Sequence, residues 1–220
     1  MKKKVLSLVT SIALTLTLSA GFVFAKTYTI KDVQPTVDGY QAIQNVLDQK
    51  IMNLTAGKFL PNSTVKRGDF ARILANINGD LGSISAPSYS SFKDVSTKDT
   101  NFKYIEAEKK YIPNFGNSFK PNGYLTREDA AYAIVKAMGY DTDDAAASGV
   151  DPEVNVEELC EDANTISKNL QKYVGIAIGS ELMDTITQGD KDYFKPKANI
   201  SRKDLAVLLD NANQKGDFTK

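Results

Sequence analysis

Three arginines stand in one short motif that occurs three times in this chain. Each copy reads Phe, any residue, Pro, three residues, an aliphatic, one residue, Arg, one residue, Asp. The copies are Phe59-Leu60-Pro61 with Val65-Lys66-Arg67-Gly68-Asp69, Phe119-Lys120-Pro121 with Leu125-Thr126-Arg127-Glu128-Asp129, and Phe194-Lys195-Pro196 with Ile200-Ser201-Arg202-Lys203-Asp204. Arg67, Arg127 and Arg202 follow their Phe by eight positions each time. A forked guanidinium suits bidentate recognition of a carboxylate or phosphate. Three such groups in one register point to related binding clefts rather than to a single catalytic centre.

Part of the motif is explained by helix capping. Thr126 and Ser201 stand where an N-cap stands, and Asp129 and Asp204 follow at capping-box spacing. The arginines are not explained that way. They fall in the first helical turn, where the macrodipole disfavours a cation by roughly 0.3–1 kcal/mol. Each arginine therefore calls for an anionic partner. An acid of a neighbouring repeat, such as Asp32, Asp94 or Asp162, would serve. So would an external carboxylate or phosphate, held by helix amides and guanidinium together.

The elements that must carry these residues repeat as well. The arginines are 60 and then 75 residues apart, which means one supersecondary unit used three times. An acid-containing turn opens each unit: Ile30-Lys31-Asp32-Val33, Phe92-Lys93-Asp94-Val95 and the more divergent Cys160-Glu161-Asp162-Ala163. Amphipathic stretches follow at 40–52, 102–111 and 166–183; in the first, Ile43, Val46, Leu47 and Ile51 form one apolar face. Gly/Asn-rich turns at 53–58, 114–118 and 187–193 lead into the Phe-Pro motif. Second helices are expected at 68–76, 128–138 and 203–211. The expected fold is mainly α, three helix-loop-helix repeats with few strand signals.

The expected boundaries are a signal peptide at 1–25, repeats at 26–80, 92–140 and 158–213, linkers at 81–91 and 141–157, and a tail at 214–220. Lys2, Lys3 and Lys4 before an apolar run ending at Val23-Phe24-Ala25 read as a secretory signal. A lipoprotein signal is excluded, because Cys160 is the only cysteine. With 27 basic and 27 acidic residues overall, and three of the lysines in the leader, the mature chain is slightly acidic. That gives no indication of nucleic acid or an anionic membrane as partner. One cysteine permits no internal disulfide, so hydrophobic cores must supply the stability, with Cys160 a small buried hydrophobe. The acidic linker residues Asp141, Asp143 and Asp144 lack the ligand spacing of a calcium loop and read as solvated. No metal or cofactor is expected.

The pattern Phe-x-Asp-Val, helix, glycine turn, Phe-x-Pro, then Thr-Arg-x-acid opening a second helix resembles the S-layer homology (SLH) domain. Phe92-Lys93-Asp94-Val95, Phe119-Lys120-Pro121-Asn122 and Leu125-Thr126-Arg127-Glu128-Asp129 carry the likeness best. The resemblance implies a pseudo-threefold domain with a central helical bundle and clefts between neighbouring repeats. It implies non-covalent attachment to a Gram-positive-type cell wall through a secondary cell-wall polysaccharide, often bearing a pyruvate ketal. Association with other S-layer proteins would fit. By the motif match Arg67, Arg127 and Arg202 face the clefts, with Lys66, Thr126 and Ser201 beside them. The family's usual tryptophan is missing: near its slot lie Asp38 or Tyr40, Phe102 and Asn169, of which Phe102 can keep a packing or sugar-stacking role. Lys66 and Gly68 replace the usual Thr and Ala.

An enzyme acting on wall polymers is the poorer reading. Without histidine, acid–base chemistry would need paired carboxylates in a cleft, and the repeated acids are accounted for by caps and turns. A protein-interaction or self-assembly module, taking acidic peptide segments in the same clefts, is the alternative to the polysaccharide anchor.

Overall fold

In the computed structural model, which describes residues 27–79, 81–141, 151 and 153–216, each Phe-x-Pro copy makes the same unusual turn. Its middle residue is left-handed, with φ of 58° at Leu60, 58° at Lys120 and 55° at Lys195. A side-chain-bearing residue pays roughly 1–2 kcal/mol for that conformation. A carboxylate holds each turn in place. Asp32 accepts from the amides of Phe59 and Leu60, Asp94 from those of Phe119 and Lys120, and Asp162 from those of Phe194 and Lys195, all at 2.8–2.9 Å. The acid turns that open the repeats are thus locks on the motif turns, in the divergent third repeat as in the others.

The helices are α1 (Tyr40–Asp48), α2 (Arg67–Ile77), α3 (Phe102–Glu108), α4 (Arg127–Ala137), α5 (Gln171–Gly179) and α6 (Arg202–Lys215). The mainly helical expectation matches this. α1 buries Ile43, Val46 and Leu47 on one face. α4 carries Ala130, Ala131, Ala133 and Ala137 and is buried nearly all round, as a helix at the centre of a fold must be. Packing runs from one repeat to the next: α2 lies on α3, α4 on α5, and α6 returns to α1. One apolar cluster links all three repeats, including Phe59, Phe119 and Phe194.

The backbone closes the same circuit. The Leu125 amide donates to the Val65 carbonyl, the Ile200 amide to Leu125, and the Val65 amide to Ile200, at 2.9, 2.9 and 3.2 Å. All three side chains are buried. No repeat can form this ring alone.

The structure departs from the sequence expectation in three places. The first helices end early, at Asp48 and Glu108; in the first repeat, Lys50 turns left-handed at φ 60°. In the third repeat the helix expected over 166–183 is confined to α5, with short 3₁₀ turns at Ala163–Thr165 and Lys168–Leu170 before it. Between them the Glu128 carboxylate binds the Ser167 amide at 3.0 Å and its hydroxyl at 2.9 Å, which holds Ile166 and Ser167 extended. The turn at 187–193 is an antiparallel hairpin, β1 (Ile186–Gln188) and β2 (Lys191–Tyr193), with Thr187 opposite Asp192. Gly189, at φ 68°, takes the first loop position, where a two-residue hairpin turn favours glycine.

The signal-peptide reading of 1–25 lies outside the described residues, as do Asp143 and Asp144. Asp141 pairs with Lys136 at 3.1 Å. No helix among the described residues is long and apolar enough to cross a membrane.

Candidate inter-repeat binding clefts

Each motif arginine crosses to the next repeat and lies over that repeat's motif phenylalanine. Arg67 sits 5.1 Å from the Phe119 ring centre, Arg127 4.9 Å from Phe194, and Arg202 4.7 Å from Phe59. The contacts form a cycle, first repeat to second, second to third, third back to first. In every case Nε donates to the carbonyl of that phenylalanine, at 2.7–2.8 Å. Nη2 donates to a carbonyl of the preceding loop: Pro113 for Arg67, Asp184 for Arg127 and Asn53 for Arg202.

These bonds settle what the arginines meet inside the protein. The phenylalanine carbonyl and the following amide belong to one peptide group. Asp32 holds the N–H of the Phe59–Leu60 peptide and Arg202 holds its C=O. Asp94 and Arg67 grip the Phe119–Lys120 peptide in the same way, as do Asp162 and Arg127 the Phe194–Lys195 peptide. The acids named from sequence therefore face the arginines across a peptide rather than as direct ion pairs. Polarising one peptide from both ends strengthens both hydrogen bonds.

The helix amides are occupied too. The Arg67 and Gly68 amides donate to the carbonyls of Gly123 and Pro121, those of Arg127 and Glu128 to Ala198 and Pro196, and those of Arg202 and Lys203 to Ser63 and Pro61. The first-turn amides thus serve the neighbouring repeat and are not free for an external anion. The bonds from Nε and Nη2 leave one edge of each guanidinium, the Nη1 side.

That edge differs among the three joints. At the first, Arg67 Nη1 meets Asp129 Oδ2 at 2.7 Å, and Arg67 is only 2% exposed. Burial pushes the Arg67 guanidinium down from its ordinary value and the Asp129 carboxyl up, and the opposite charge of each resists the shift in the other. The Phe115 ring lies 5.0 Å from the same guanidinium, with Lys120 at 3.9 Å from the ring. At the second joint Arg127 is 8% exposed, and no carboxylate among the described residues reaches it within ion-pair distance. It lines a cleft of about 270 Å³ with Asp38, Asp184, Lys203 and Asp204. At the third joint Arg202 is half-buried, likewise without an ion pair among the described residues, and lines a cleft of about 400 Å³. Burial lowers the pKa of both guanidiniums, while nearby carboxylates oppose it, chiefly Asp204 for Arg127 and Asp69 for Arg202.

The other expected site residues have these places. Thr126 and Ser201 are N-caps, accepting from the amides of Asp129 at 3.3 Å and Asp204 at 3.0 Å. Lys66 is exposed and makes no side-chain cap. Phe102, the first residue of α3, is 2% exposed and packs in the core, so it keeps the packing role and offers no face to a sugar. Cys160 is buried, and burial with Asp162 nearby pushes its thiol up to about 11, which leaves it a poor nucleophile. Arg72, exposed on α2, lines the Arg202 cleft and has no counterpart in the motif. It was legible as the odd cation at a position held by Tyr132 and Val207 in the other repeats.

Residues 29–71 and 91–131 match the S-layer homology domain. The chain is also 26% identical, over 189 residues, to a surface-layer 125 kDa protein of Lysinibacillus sphaericus, covering 83% of this chain and 15% of that protein. The chain thus spans a small part of its relative's length. The two matched segments hold the first two acid-locked turns, α1 and α3, and the opening turns of α2 and α4, while the hairpin-bearing third repeat lies outside them. Neither match is to a catalytic family, and both indicate a place at the cell surface, in the S-layer.

Proposed function

We propose that this chain is a non-covalent cell-wall anchor that binds an anionic secondary cell-wall polysaccharide in its inter-repeat clefts. In this reading all three repeats, 26–80, 92–140 and 158–213, are SLH repeats of one pseudo-threefold domain, exported by the signal peptide at 1–25. The polymer's acidic group, a pyruvate ketal on a terminal sugar, meets an arginine edge.

The observation that carries the reading is the guanidinium edge left open at two joints. Arg127 and Arg202 each use Nε and Nη2 to tie repeats together, and each lines a cleft without making an ion pair among the described residues. A cation held this firmly by neutral carbonyls still wants an anion, and the cleft leaves room for one.

Co-sedimentation of residues 26–220 with purified sacculi, before and after acid extraction of the secondary polysaccharide, tests the proposal. Binding that disappears on extraction is expected. Binding that survives extraction, or is absent from both preparations, overturns it and favours a protein partner.

A further inference from the structure

The three joints share one architecture but not one chemistry, and the difference sits in side chains outside the motif. The loop residue four positions before the motif phenylalanine is Phe115 at the first joint and Thr55 at the third. Phe115 covers Arg67, whose last edge is already neutralised by Asp129. Thr55 instead lines an open cleft. The first joint is therefore closed from within, and Arg67 serves to hold repeats together.

The two open clefts differ in charge. Around Arg127 the lining holds one guanidinium and one ammonium, Lys203, against three carboxylates, Asp38, Asp184 and Asp204. Around Arg202 it holds two guanidiniums, Arg72 and Arg202, against Asp69 alone, which accepts from Asn101 at 3.0 Å. Arg72 is exposed and makes no ion pair among the described residues. Two guanidiniums facing one cleft repel each other unless an anion lies between them. The rest of the lining is uncharged near them, with hydroxyls on Thr55 and Thr64 and the ring of Tyr104 from α3 of the second repeat.

Building on the wall-anchor reading, we propose that the cleft between the third and first repeats is the site for a sugar bearing one carboxylate, with Arg202 and Arg72 gripping the carboxylate. The net excess of a single positive charge matches one such anion. Tyr104 adds an aromatic ring to the lining, and the two threonines offer partners to the sugar hydroxyls. Arg72 sets which of the clefts takes the acid, because the second and third repeats carry Tyr132 and Val207 at its position.

The test is NMR of the arginine side-chain N–H signals during titration with methyl β-glucuronide, with methyl β-glucoside as the uncharged control, and of the Arg72→Gln chain. The exposed Arg72 side chain makes this substitution compatible with the fold, which an unchanged melting temperature verifies. Expected are shifts at Arg72 and Arg202 with the glucuronide only, and affinity for it reduced about tenfold or more in Arg72→Gln, as loss of a charge-assisted bidentate contact requires. Shifts centred on Arg127, no shifts at saturating glucuronide, or undiminished affinity in Arg72→Gln each overturn the assignment. Wild-type sedimentation with sacculi is read in parallel. If sacculi bind and the glucuronide does not, this site is wrong and the anchor reading stands; if the glucuronide binds and sacculi do not, the anchor reading falls and the site stands.

Discussion

Replacing Arg67 with alanine is expected to damage folding far more than a surface substitution would. The side chain makes three contacts across the first joint: to the Phe119 carbonyl at 2.8 Å, to the Pro113 carbonyl, and to Asp129 at 2.7 Å. Its loss strands Asp129, which is 7% exposed and has no other cation within ion-pair distance among the described residues. Removing one member of a buried pair costs about 3–5 kcal/mol. At about 2–4 °C per kcal/mol for a chain of this size, the melting temperature should drop by about 6–20 °C. Urea unfolding followed by circular dichroism gives the free energy. A cycle with Asp129→Ala isolates the pair, and a coupling of about 1–3 kcal/mol is expected for groups in contact. An Arg67→Ala chain within about 1 kcal/mol of wild type, or strictly additive single substitutions, would refute the reasoning that this arginine is a joint.

Three smaller predictions follow from the same contacts. Lys120→Gly should leave stability unchanged or raise it by up to about 1 kcal/mol in urea unfolding, because the left-handed turn no longer strains a side-chain-bearing residue; a loss of about 1 kcal/mol, usual for glycine elsewhere, contradicts the strain argument. Asp94→Ala should cost about 1–3 kcal/mol by removing the acceptor of the Phe119 and Lys120 amides, and an unaffected unfolding midpoint would show that the lock is idle. Partial burial raises the Asp32 and Asp94 pKa values, but the bound amides outweigh it and hold both below the ordinary 3.8. Their contribution to stability is thus complete above pH 3.8 and lost as pH falls through the lowered folded values, so Asp94→Asn should lose less stability on acidification than wild type does.

Much of this fold was readable from spacing. The starts of α1 and α3, and those of α2, α4 and α6 to within a residue, follow from apolar periodicity and the capping residues Thr126 and Ser201. The helix lost at Ile166 and Ser167 was not readable, because Glu128, 39 residues away, sets that backbone. The candidate site was legible only by half. Spacing picked out Arg67, Arg127 and Arg202, but the partner of each lies across a closed circuit of repeats. Asp32, Asp94 and Asp162 stood as candidate partners beside an external anion, and their hold on the arginines through one shared peptide requires the left-handed turn, which no propensity announces. Phe115 and Arg72 break the repeat, so reasoning from the shared motif passed over the residues that make the joints unequal.

The most direct test of the central claim is calorimetric titration of the chain with polysaccharide released from the wall, using the polymer as isolated and after amidation of its carboxylates. The anchor reading predicts saturable binding to the acidic polymer and its loss on amidation. Equal binding of both polymers, or binding of neither, would contradict the claim that guanidinium edges in these clefts hold the protein to the wall.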